Sequence, residues 1–449
     1  MKRAGAGRDV RPPAFVYRRS ENRSERRIKR GVKGALELCC ERLPLEDLAA
    51  RYGTPLYVYS AAMIRARVAA FARAFDSIPH TLCYSVKANS TLAILRLIAE
   101  EGAGFDVVSG GELRRVLRVN RKAASKVVFS GVGKAAAEME LAVGAGILLF
   151  NVESASELRL LAATATRLKK QAVVAVRVNP DVSAKTHPYI STGLHQHKFG
   201  VPISEAPGLY AQAAKQAFLK VAGVSVHIGS QITNVGSFRE ALERVADLVR
   251  VLREQGHDIR YLDAGGGLGI SYEGTQASFE KQIAAYAKAV MAPLRGLKLH
   301  LLLEPGRSIV GAAGVLLTRV LYRKTNHKKR FLIVDAAMND LLRPSLYGAH
   351  HEIVPVRGGT RETEIADVVG PICETGDFFA RDRKLRVVSE GDLLAILDAG
   401  AYGSVLGSNY NTRGRAAEVL VKNAKATVIR RRESWQDQIR LEKVWARTN

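Results

Sequence analysis

The sequence predicts an α/β protein: a closed barrel of eight β/α units followed by a mainly β C-terminal domain. Two observations carry this expectation. Eight apolar runs, at 81–86, 105–109, 127–130, 147–152, 172–178, 221–228, 259–264 and 297–303, alternate with amphipathic stretches whose apolar residues recur every three or four positions. After 304-EPGR-307 that rhythm gives way to short alternating runs separated by turn residues. Strands alternating with helices imply a parallel sheet, and eight units over about 250 residues is the size of a TIM-type (β/α)8 barrel. A doubly wound open sheet is the runner-up. It would show fewer strands and a dinucleotide fingerprint near its first turn.

The chain begins with a basic tail. Residues 1–35 hold 12 Lys/Arg against 3 Asp/Glu, include Pro12-Pro13 and lack periodicity, so they are expected to be disordered. They contain no apolar core of a secretory signal, and Glu21 and Glu25 argue against a mitochondrial presequence. Residues 36–58 follow. In 44-PLEDLAARYGTPLYVYS-60 a short helix, a Gly-Thr-Pro stop and a strand are expected, and the segment is expected to pair with the β domain. The barrel is assigned to 59–303. Its helices include 91-TLAILRLIAEEG-102, 153-ESASELRLLAATATRL-168 and 238-FREALERVADLVRVLREQG-256, each ending in a glycine or polar stop. The β domain is assigned to 304–449, with strand candidates such as 331-FLIVD-335 and 393-LLAILD-398.

Composition narrows the function classes. Hydrophobic residues make up 47% of 449, enough for a full core. No apolar run approaches the ~18 residues of a membrane span, so no membrane partner is expected. Cys39, Cys40, Cys83 and Cys373 show neither zinc spacing nor a disulfide framework, which suits a reducing, cytoplasmic setting, and no metal is expected. The net charge is +25. Either the chain touches an anionic surface, or a basic start is added to an arginine-rich composition. The second is preferred, without a nucleic-acid partner, because no aromatic residues interleave the basic clusters.

Chemistry gathers at the predicted strand ends, where a barrel builds its site. In 81-TLCYSVKANS-90 the first strand delivers Lys87, and desolvation there would lower its pKa and free an amine to attack a carbonyl. His227 ends the sixth strand, Gly265, Gly266 and Gly267 end the seventh, and Glu304 ends the eighth. The glycines let backbone amides approach an anion, although tight turns use the same residues, and position 270 is Ile270 where a dinucleotide motif needs glycine. An amine, a phosphate cradle, a carboxylate and an imidazole together fit pyridoxal 5′-phosphate. Lys87 would form the Schiff base, Glu304 would pair with the pyridine nitrogen and His227 would lie against the ring. Plainer readings stay open: a core histidine for His227, and an ion pair with Arg307 for Glu304. His195-Gln196-His197 and His350-His351 raise a metal site, but without a third ligand at a strand end.

The motifs YSVKAN, HIGSQ, GGGLG, EPGR, 370-GPICETGD-377 and 398-DAGAYG-403, with 185-KTHPYISTGLHQHKFG-200 and 343-RPSLYGAHHEI-353, occur in one order. Over about residues 36–440 the chain resembles diaminopimelate decarboxylase, a family of pyridoxal-phosphate enzymes of alanine-racemase-like fold. The resemblance implies a homodimer with shared active sites that converts meso-2,6-diaminopimelate to L-lysine and carbon dioxide. It implies Lys87 as Schiff-base lysine and His227 as ring-stacking residue. Gly265, Gly266, Gly267, Gly306 and Arg307 would contact the phosphate and ring. Arg307, Arg343 and Tyr347 would bind substrate, and Tyr402 would touch both cofactor and substrate. Cys373 and Glu374 would reach in from the partner subunit, Cys373 as general acid and Glu374 as receiver of the far ammonium. Cys373 could instead be an inert thiol. Decarboxylation of ornithine, lysine or arginine is the alternative activity.

Overall fold

The computed structural model describes residues 14–19, 36–182, 198–272, 278–358 and 362–445. The eight apolar runs form eight parallel strands: β1 (His80–Ser85), β2 (Gly104–Val107), β3 (Val127–Phe129), β4 (Leu149–Val152), β5 (Ala172–Asn179), β6 (Leu219–Val226), β7 (Tyr261–Asp263) and β8 (His300–Leu303). Each strand pairs with its successor, and β8 pairs with β1 at Leu303↔Leu82, which closes the barrel. Covered by helices outside and side chains inside, these strands are apolar almost throughout. The exceptions matter: Asp106 on β2 and Asp263 on β7 are fully buried.

The helices start where the sequence supplies caps. Ser60, Ser109, Ser154 and Ser278 each accept a backbone N–H three residues on, at the starts of helices Ala61–Ala74, Gly110–Val119, Ala155–Leu168 and Phe279–Met291. Helix Gly236–Glu254 buries Phe238, Leu242, Val245, Val249 and Leu252, one stripe at three- and four-residue spacing.

The second unit is a β structure built from both sides of the barrel. Strand Gly314–Asn326 runs antiparallel to Leu56–Ser60 and to Leu393–Ile396. Leu56–Ser60 pairs on its other edge with Ala417–Lys422, in parallel. Its core takes Leu56 and Val58 from before the barrel and Val315, Leu317, Val419 and Val421 from after it.

One expectation is corrected. Residues 15–19 of the tail are not disordered: Phe15–Arg19 forms a strand antiparallel to Leu36–Cys40. The strand 36–40 offers an edge, 15-FVY-17 supplies residues that favour strands, and the Tyr17 hydroxyl donates to the Pro355 carbonyl. The rest of the tail, 1–13 and 20–35, lies outside the described residues.

Candidate active site

β1 ends at Ser85, and the 3-10 turn Val86–Ala88 lifts Lys87 onto the C-terminal mouth of the barrel. Lys87 Nζ is 2.5 Å from Asp106 Oδ2, and Ser85 Oγ donates to the same oxygen at 2.8 Å. The registry Ser85↔Asp106 across β1 and β2 makes this contact possible. Burial alone pushes the Lys87 pKa down, as the sequence suggested. The carboxylates of Asp106 and Glu304 outweigh it, and the net shift is upward. The amine is therefore held as an ammonium, opposite to the expectation from burial.

Glu304 stands just beyond β8, 5% exposed, and Ser130 Oγ donates to its Oε1 at 3.1 Å. Burial, then the Asp106 and Asp263 carboxylates, raise its pKa well above the ordinary range, with Lys87 opposing. Asp263 accepts from Asn151 Nδ2 at 2.5 Å and from the Gly265 amide at 2.9 Å. Its carboxyl is hydrogen-bonded to that of Glu304, and burial raises its pKa too. Two adjacent buried carboxyls cannot both be charged cheaply, so the pair retains a proton.

The glycine turn after β7 packs on the Glu304 backbone. A side chain at Gly266 would lie 2.0 Å from the Glu304 carbonyl oxygen, and Gly267 has φ +108°. Only glycine allows both. The Gly266 amide donates to His227 Nδ1 at 3.1 Å, so that nitrogen carries no proton. Burial, then the Arg177 and Lys87 charges, push the His227 pKa well down, which keeps the ring neutral. Gly306 presses on the Lys87 turn: a side chain there would lie 2.9 Å from the Ala88 Cβ.

A cationic wall flanks this centre. Arg307 donates to the Tyr272 hydroxyl at 2.6 Å and to Ser230 Oγ at 3.2 Å, and lies 4.8 Å from the Tyr402 ring centroid. Arg343 lies over the Tyr272 ring at 4.5 Å. Burial lowers its pKa. Tyr347 is one turn further on the same short helix, half-buried. Tyr402 takes φ +56°, and its amide donates to the Ala88 carbonyl at 2.9 Å, next to Lys87.

Cys373 and Glu374 stand apart from this cluster. Cys373 is exposed, with its amide on Asn411 Oδ1 at 2.9 Å. Glu374 is hydrogen-bonded to the Tyr410 hydroxyl. Asp377 shapes their loop by accepting the Ile372 and Met338 amides, each at 2.7 Å. The motif at 185–200 falls mostly outside the described residues, His195 and His197 included.

Sequence reading missed Asp106, Asp263, Ser130 and Asn151. A signal existed: each is a polar residue inside an otherwise apolar strand run or at its end, where burial demands a partner.

The family model described as "Pyridoxal-dependent decarboxylase, pyridoxal binding domain" matches residues 61–311. The chain is 53% identical, over 401 residues, to a diaminopimelate decarboxylase of Pseudomonas aeruginosa, covering 89% of this chain and 95% of that relative. The chain belongs to the diaminopimelate decarboxylase family of pyridoxal-dependent decarboxylases. Its fold agrees. The Helicobacter pylori diaminopimelate decarboxylase solved with L-lysine superposes with TM-score 0.85 at 44% identity, over 89% of this chain and 99% of that one. A diaminopimelate decarboxylase from M. jannaschii, solved in co-complex with L-lysine, gives TM-score 0.86 at 38% identity, over 93% of this chain and 97% of that one. In this diaminopimelate decarboxylase-family chain, the matched span 61–311 runs from the first barrel helix to just past Arg307, and so contains Lys87, Asp106, His227, Asp263 and Glu304.

Proposed function

We propose that this chain decarboxylates meso-2,6-diaminopimelate to L-lysine and carbon dioxide with pyridoxal 5′-phosphate as cofactor, the last step of lysine biosynthesis. The observation that carries it is the convergence of Lys87, Glu304 and His227 with the 265–267 glycine turn at one end of the barrel. The residues fit the cofactor. Glycine at 266 and 267 lets the turn pack against the Glu304 and Gly229 carbonyls beside Lys87 and His227, and the buried Asp263–Glu304 pair retains a proton suited to a ring nitrogen. Lys87, His227, Gly265, Gly266, Gly267, Glu304, Gly306, Arg307 and Tyr402 would hold it. When bound, it supplies an aldehyde for the amine and a ring that accepts the electrons freed by loss of carbon dioxide.

The chain's own residues divide the remaining work. Lys87, held as an ammonium against Asp106 at 2.5 Å, must give up that proton before it can act as a nucleophile. Neutral His227 adds no charge beside the reacting centre. Arg307 and Arg343 offer forked donors to the far carboxylate of the substrate, with Tyr347 beside them. Cys373 and Glu374 would come from the partner of a homodimer, Cys373 to return a proton and Glu374 to receive the far ammonium. Their exposure, and their contacts to Asn411 and Tyr410, support that reading. A cytoplasmic location fits free cysteines. Among the described residues no helix is long and apolar enough to cross a membrane.

The deciding experiment supplies the purified protein, with pyridoxal phosphate, with diaminopimelate, ornithine, lysine and arginine in turn. Carbon dioxide and L-lysine from diaminopimelate alone are expected. Faster release from ornithine, lysine or arginine would replace the substrate assignment.

A further inference from the structure

Arg343 is a buried cation, 4% exposed, whose orientation is not left to solvent. Its Nη1 lies 2.7 Å from His351 Nε2. Its Nε–H has no acceptor among the described residues, and neither has that of Arg307. Two buried guanidinium groups on one tyrosine, each with an unmet donor, make a cationic pocket suited to an anionic ligand.

His351 is fully buried, and its Nδ1 faces the Leu397 carbonyl at 2.8 Å. A carbonyl only accepts, so Nδ1 carries the ring proton and Nε2 presents its lone pair to Arg343. Burial, then the Arg343 charge, push the His351 pKa down to about 3, so this tautomer persists across the working pH range. The Tyr272 ring meets the imidazole edge-on at 5.0 Å, and Arg383 Nη1 donates to the His351 carbonyl at 3.0 Å. Both ring nitrogens are thus engaged by protein groups. His351, one half of the His350-His351 pair that the sequence offered as a metal motif, has this use instead.

We infer that His351 is the positioning residue for Arg343: it takes one guanidinium N–H and turns the remaining donors toward the far carboxylate of the substrate. It controls which ligands the site accepts without touching them. The inference rests on the reading of Arg343 as a substrate ligand.

The test uses holoenzyme variants His351→Asn, His351→Gln and Arg343→Ala. Asparagine keeps a donor for the Leu397 carbonyl but is too short to accept from Arg343; glutamine restores an acceptor. The ligands are diaminopimelate, L-lysine, which keeps the far carboxylate, and 1,5-diaminopentane, which lacks it. For His351→Asn we expect KM for diaminopimelate and the calorimetric Kd for L-lysine to rise about tenfold, as for one lost charge-assisted hydrogen bond. kcat and the affinity for 1,5-diaminopentane should stay within about twofold, and His351→Gln should recover most of the loss. An equal loss for both ligands, no loss, or a His351→Asn chain that does not fold would overturn the positioning role. If Arg343→Ala itself leaves KM unchanged, the fault lies with the Arg343 assignment.

Discussion

Lys87 Nζ sits 2.5 Å from Asp106 Oδ2, and that contact, joined by the Glu304 carboxylate, reverses the charge state that burial would impose on the lysine. Without the carboxylate, desolvation favours the neutral amine. Asp106→Asn is therefore expected to lower the Lys87 pKa by at least about one unit. The pH dependence of the rate at which cofactor-free protein takes up pyridoxal phosphate reports it. An unmoved titration would show that Asp106 does not govern this amine.

Lys87 and Cys373 are expected to fail differently. Lys87→Ala should abolish turnover and the borohydride-sensitive colour together. Cys373→Ala should slow kcat by about 10²- to 10⁴-fold, the range for a lost general acid, and leave the colour intact. Full activity of the Cys373 variant would remove the thiol from the reaction. Mixing inactive Lys87→Ala with slowed Cys373→Ala protein checks the shared site: hybrid dimers should regain activity, as separate sites could not.

Gly266→Ala would place a methyl group 2.0 Å from the Glu304 carbonyl oxygen, a clash with backbone that no rotamer relieves. A loss of about 3 kcal/mol in stability is expected, the upper range for overpacking. Weakened cofactor binding should accompany it, because Glu304 must move. Chemical denaturation and cofactor titration measure the two effects.

Asp340 makes a separate prediction about pH. It is 4% exposed, and burial raises its pKa to about 6 from 3.8. The folded state thus prefers the protonated acid. Its contribution is fully present below the unfolded pKa near 3.8 and is lost as pH rises through 6. Asp340→Asn keeps an oxygen for the Ala337 amide, which Asp340 Oδ2 accepts at 3.0 Å. Its stability relative to the parent should be nearly unchanged at about pH 3 and about 3 kcal/mol higher at about pH 8. A pH-independent difference would contradict the burial argument.

Residue patterning along the chain reveals the alternation of strands and helices, because buried strands need apolar runs and surface helices need one apolar stripe. It also determined which residues end the strands: Lys87, His227, Gly265 to Gly267 and Glu304 each sit where an apolar run stops. The tertiary structure alone decided that Asp106 meets Lys87 and that Asp263 shares a proton with Glu304. Those contacts depend on the register between neighbouring barrel strands, Ser85↔Asp106 across β1 and β2 and Asp263↔Leu302 across β7 and β8. It also decided the Lys87 charge, since a local sequence reveals burial but not which carboxylates surround the amine. Pairing of Phe15–Arg19 with Leu36–Cys40 has the same origin: an edge strand recruits a segment whose own composition does not specify a fold.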